Sequence, residues 1–86
     1  IFLADLYYEA GSVALDASQF GQAEHYLTLA VKTNPYSTMA KIKLAELYRV
    51  QDRASDAAQQ FKQAVQINPN SPVTRQAYIR WLSENA

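Results

Sequence analysis

Ala30-Val31-Lys32-Thr33-Asn34-Pro35-Tyr36-Ser37 and Ala64-Val65-Gln66-Ile67-Asn68-Pro69-Asn70-Ser71 carry the same punctuation 34 residues apart. The two stretches share Ala, Val, Asn, Pro and Ser at matching places. A fixed period of 20–50 residues is the mark of a stacked-repeat architecture. Working outward, the same shift lays Ala23 on Ala57 and Leu27 on Phe61. Bulk similarity between residues 4–37 and 38–71 is low. The matches gather at the end of each unit, where the apolar spacing is also kept.

Each unit divides into two helical stretches. Leu3, Leu6, Tyr7, Ala10, Ala14 and Ala17 recur at three- and four-residue spacing, which predicts one face of a helix. A break at Ser18-Gln19-Phe20-Gly21 follows, and Phe20, Ala23, Leu27, Ala30 and Val31 form a second stripe. The second unit repeats the scheme with Ala40, Leu44, Ala45, Leu47 and Tyr48, a break near Asp52-Arg53, then Ala54, Ala57, Ala58, Phe61, Ala64 and Val65. Pro35 and Pro69 close each second helix, because proline disfavours a helical residue before it and has no N–H to donate. Ser37 and Ser71 are placed to cap the next helix, and Pro72 sits where a first-turn proline is tolerated. A fifth helix is predicted from Pro72 to about Ser83, with Ala77, Tyr78, Trp81 and Leu82 on one side. Fourteen alanines, two glycines and three prolines favour helix throughout. No Asn-Gly or Asp-Gly hairpin pair or sustained alternation suggests a strand. The expected class is all-α.

This pattern resembles the tetratricopeptide repeat family. Gly11 and Ala45 stand at its small position in the first helix, and Tyr48 at its following aromatic, where the first unit has Ala14. Ala23-Leu27-Ala30 and Ala57-Phe61-Ala64 give the small–large–small run of the second helix, with Pro35 and Pro69 closing. The first unit departs most, having Tyr7 and Ala10 where Trp and Leu are common. The resemblance implies right-handed superhelical helix-turn-helix repeats across a single domain, 1–86: repeat one at 4–37, repeat two at 38–71, and a trailing helix at 72–86. Ile79 falls where Gly11 and Ala45 stand, and its bulk would hold a following helix away. The trailing helix is therefore expected to be a cap, with a degenerate third repeat as the alternative. Leu3 and Leu6 have no preceding helix to cover them, which suggests upstream repeats or a self-association surface. An opening of Ile1-Phe2-Leu3, without an initiator Met or a signal-peptide pattern, reads as a domain of a longer or processed chain.

Domains of this family line a concave groove with their first helices and bind a peptide or partner helix there. In this register the groove residues are Tyr8 and Ser12 from the first helix; Met39, Ile42, Lys43, Glu46 and Arg49 from the third; and Val73, Gln76 and Arg80 from the fifth. Asp5, Glu9 and Leu15 share that face. Ile42, set between two lysines, is expected to meet a ligand, so that Ile42→Glu would lose binding without losing the fold. Members that grip a terminal carboxylate use a Lys, Asn and Arg clamp. Those positions here read Tyr8, Ser12, Lys43, Val73 and Ala77, so such a clamp is not expected. The expected function is a non-catalytic protein–protein interaction module, with self-assembly through exposed terminal helices as the alternative.

Eight basic and eight acidic residues balance to a formal charge of zero, which argues against nucleic-acid or anionic-membrane binding. The distribution is uneven. Residues 1–37 hold Asp5, Glu9, Asp16 and Glu24 against Lys32, while the bases gather later, so the groove grades from acidic to basic. No apolar run approaches the roughly 20 residues that span a bilayer. With no Cys and a single His, His25, the residues offer no metal-ligand set. Asp5 and Glu9 lie one turn apart, but nothing nearby provides the burial that acid–base catalysis needs. Phosphate loops and nucleophile elbows are also missing. No catalytic residue, cofactor or metal is expected.

Overall fold

The computed structural model describes residues 3–84. They form α1 (Leu3–Asp16), α2 (Phe20–Thr33), α3 (Thr38–Val50), α4 (Ala54–Ile67) and α5 (Pro72–Glu84), with no strand among the described residues. Residues 1–2, and residues 85–86 at the end of the expected trailing helix, lie outside the described part.

Both proline breaks end a helix in the same way. Asn34 and Asn68 follow the last helical residue, and their N–H groups donate to the Ala30 and Ala64 carbonyls. Ser37 and Ser71 then accept from the backbone N–H groups of Ala40 and Thr74, at 3.2 and 3.3 Å. This satisfies donors that the first turn leaves orphaned.

The breaks within each unit use different chemistry. Ser18 and Asp52, 34 residues apart, both sit at φ 60°, the left-handed region. Gln19 N–H reaches back to Ala14 O and Arg53 N–H to Tyr48 O, both at 2.8 Å, which reverses the chain in the Schellman manner. Glycine usually holds that position; Gly21 instead lies inside α2 with ordinary φ.

Helices α1, α3 and α5 lie side by side, with α2 against α1 and α3, and α4 against α3 and α5. Two small cores result. One joins Ala14, Ala23, Leu27, Leu44 and Leu47. The other joins Ile42, Ala45, Ala57, Phe61 and Ala64, with Tyr78 and Trp81 packed on it. Gly11 of α1 and Ala45 of α3 are buried where helices approach closely, as their small size requires.

The expected stripe on α1 divides. Gly11 and Ala14 are buried, but Leu3, Leu6 and Ala17 are exposed because no described element covers that side. On α5, Leu82 likewise turns outward while Trp81 packs on Phe61, ring centroids 5.8 Å apart.

Across the junction between units, Arg53 donates to Glu24 of α2 and to Asp56 of α4, each at 3.0 Å. Its guanidinium also lies 4.3 Å from the centre of the Tyr48 ring. This cation is tied to both units.

Candidate functional site

The side-by-side placement of α1, α3 and α5 leaves a cavity of about 200 Å³ open to solvent between them. Of the residues expected in a groove, it brings together Tyr8, Met39, Ile42, Lys43, Glu46, Val73, Gln76 and Arg80. Ala77 completes the wall, a residue that the 34-residue register pairs with Lys43. Arg49 lines an adjoining small recess with Phe61, Trp81 and Glu84. Ser12 lines neither; its hydroxyl oxygen is buried with no hydrogen-bond partner among the described residues.

Ile42 requires a correction. It is 6% exposed and belongs to the second core with Phe61 and Ala45, so the expectation that it has no structural role is overturned. Ile42 shares that cluster with the small Ala77 of α5, which packs against it. Its side chain forms the floor of the cavity, where a buried Glu would be left without a partner. Tyr8 also has a packing role, since it leans on the first core while facing the cavity.

The exposed apolar side chains are Met39, at 49%, and Val73, at 58%. They stand on α3 and α5 at equivalent places in successive units.

Several charges at the site are already engaged. Lys43 pairs with Glu46 at 3.8 Å, one turn along α3. Arg49 pairs with Glu84 of α5 at 3.6 Å. Arg80 is exposed and makes no ion pair with a described residue, nor do Asp5 and Glu9 on α1. The free charges are thus acidic at the α1 side and basic at the α5 side.

Lys41, next to the site on α3, is buried, and its Nζ donates to Gln63 Oε1 at 2.8 Å. Burial pushes its pKa below the ordinary lysine value. Burial, and next the Glu24 charge, push the Tyr48 phenol upward against the opposing pull of Arg53. Sequence reading missed both the buried lysine and its amide partner, since neither residue type signals a core position.

His25 is exposed and stands edge-on to Tyr26, ring centroids 5.3 Å apart. No cluster of His, Asp and Glu able to hold a metal occurs among the described residues, and no described helix is long and apolar enough to cross a membrane.

Paired helices repeated at a 34-residue period, with α1, α3 and α5 side by side, make up an α-helical repeat protein. The chain belongs to the tetratricopeptide repeat family, whose model matches residues 3–72. Repeats of this family are in general protein–protein interaction modules. No curated protein matches the chain.

Proposed function

We propose that this domain is a non-catalytic interaction module that binds a peptide or partner helix across α1, α3 and α5. The reading is carried by one observation: exposed apolar side chains on successive units face a common cavity beside a cation with no ion-pair partner. Met39, Val73 and Tyr8 are its apolar contacts, over the floor made by Ile42. Lys43, Glu46 and Gln76 form the rim, Arg49 stands in the adjoining recess, and Arg80 is the free cation. Met39 and Val73 are about half exposed, so covering either contributes about 1 kcal/mol, before ordering costs are met. That scale fits a modest affinity set by a few anchors.

The ligand is a segment with an apolar residue over Met39 and Val73 and an acidic residue near Arg80. Basic residues of the ligand lie toward Asp5 and Glu9, so complementary charge fixes its direction. Selection of a displayed random-peptide library on the wild-type domain, counter-screened on Met39→Glu and Arg80→Glu, tests this. Enriched sequences should combine an apolar anchor with an acidic neighbour and should fail on both variants. A library that yields nothing, or sequences that bind the variants equally, excludes the groove.

A further inference from the structure

The recess beside the cavity is rimmed by charge. Glu46, Arg49, Arg80 and Glu84 stand around a space of about 30 Å³. Phe61, Ala77 and Trp81 give it an apolar wall. It shares Glu46, Ala77 and Arg80 with the cavity, so the two form one continuous surface. A segment that lies over Met39 and Val73 with an acid at Arg80 therefore runs on toward Arg49.

The charges around the recess do not cancel. Glu46 is held by Lys43, one turn back on α3, at 3.8 Å. Glu84 of α5 holds Arg49 of α3 at 3.6 Å. Arg80 makes no ion pair with a described residue. Of the two guanidiniums lining this recess, the chain itself supplies a carboxylate to one.

We infer that Glu84 is a specificity-determining residue: by occupying Arg49 it limits the ligand to one acidic anchor, the one at Arg80. This rests on the groove reading given above. A single ligand carboxylate on Arg80 brings the recess to neutrality. A second carboxylate beside it finds Arg49 taken and meets Glu84, a like charge. Discrimination then comes from what repels the wrong partner as well as from what attracts the right one.

The Arg49–Glu84 pair contributes little to the fold. Its side chains are 42% and 46% exposed. Its separation exceeds the roughly 2.7–2.9 Å of a charge-assisted hydrogen bond. Arg53, by contrast, meets Glu24 and Asp56 at 3.0 Å. Removing Glu84 opens Arg49 and leaves α5 packed through Tyr78 and Trp81. So loose a pair bounds the discrimination at roughly two- to five-fold in affinity.

A displayed random-peptide library selected in parallel on the wild type and on Glu84→Gln tests the inference. The wild type should enrich sequences with one acid near the apolar anchor, and Glu84→Gln sequences with two. Synthetic peptides from the two selections, titrated by fluorescence anisotropy, give the size of the effect. The two-acid peptide should gain roughly two- to five-fold on the variant, and less at about 0.5 M salt. Glu84→Gln also changes the net charge, so two double variants that restore it locate the effect. Arg49→Gln with Glu84→Gln should return to one acid, because no guanidinium is opened. Arg75→Gln with Glu84→Gln should still take two, since Arg75 lines neither the recess nor the cavity. All three positions are exposed, so every variant should keep wild-type helicity. Equal acid counts on wild type and Glu84→Gln, or a two-acid preference lost with Arg75 as readily as with Arg49, would overturn the inference and leave the groove standing. A library that enriches nothing on the wild type would overturn the groove reading and this inference with it.

Discussion

Gly11 and Leu27 are in such close contact that a Cβ built on Gly11 would lie 2.6 Å from Leu27 Cγ and 2.7 Å from its Cδ2. Leu27 is fully buried among Ala23, Leu44 and Leu47 and has nowhere to retreat. Gly21, the other glycine, has nothing within 4 Å of the corresponding point. The same substitution should therefore act in opposite directions at the two sites. Gly11→Ala is expected to destabilise by about 1–3 kcal/mol through overpacking. Gly21→Ala should stabilise by up to about 1 kcal/mol through helix propensity. Urea unfolding followed by circular dichroism reads both; a Gly11→Ala variant as stable as wild type would mean that the helices can spread.

Ile42 and Met39 both border the cavity, yet one is core and the other surface. Ile42→Glu should cost more than about 3 kcal/mol, because it opens a void and buries an unpaired carboxylate. Met39→Glu should leave the melting temperature within a degree or two of wild type, as surface changes usually do. Loss of binding in the Ile42 variant would thus report unfolding, while loss in the Met39 variant would report the surface. Thermal melts of the two proteins, run side by side, separate these cases.

Lys41 and Tyr48 make stability depend on pH in opposite senses. The folded state holds the Lys41 proton less firmly than the unfolded chain does. Stability should therefore rise as the pH climbs through the folded value toward the ordinary lysine value. Tyr48 is held protonated in the folded state, so its contribution is complete below the ordinary tyrosine value and is lost above it. Lys41→Met should raise stability at neutral pH by about 1 kcal/mol, since it replaces a buried cation by an apolar chain of similar size. It should also abolish the alkaline rise. Tyr48→Phe should leave that rise in place and remove the later fall. Urea midpoints measured from neutral pH to about pH 11 distinguish the two curves.

Ser18 bears a strained backbone that glycine would adopt freely. Ser18→Gly should stabilise by about 1 kcal/mol, and Asp52→Gly by less, because aspartate tolerates the left-handed region better than serine. Denaturant midpoints for the two variants give the comparison. A loss of stability at Ser18 would show that the serine side chain contributes more than its backbone costs.

The fold was legible because its punctuation is chemical. Asn-Pro-x-Ser ends one helix and caps the next, and the apolar spacing between those marks can satisfy only a helix. The cavity wall was legible to the extent that the 34-residue register carries it, since Met39 and Val73, or Lys43 and Ala77, are the same place twice. What the register does not encode is distance between helices. Ile42 faces the same side as Met39, but it is covered because Ala77, Tyr78 and Trp81 of another helix pack on its cluster. The turns at Ser18 and Asp52 were also hidden, because neither residue is the glycine that such a turn favours. Lys41 was hidden for a similar reason: its stem fills a core position while its amine finds an amide.

Arg53 sits between the two helices of the second unit, yet Glu24 of the first unit holds it, and the Tyr48 ring lies beneath it. Each ion pair is partly exposed and contributes little by itself. The first core crosses the same junction, joining Ala23 and Leu27 to Leu44 and Leu47, so loss of the first two helices would strip the third of its packing. The unit of inheritance is 34 residues, but the smallest piece able to melt independently is larger than that. The seam visible in the sequence at Pro35 is therefore not the line along which the molecule comes apart.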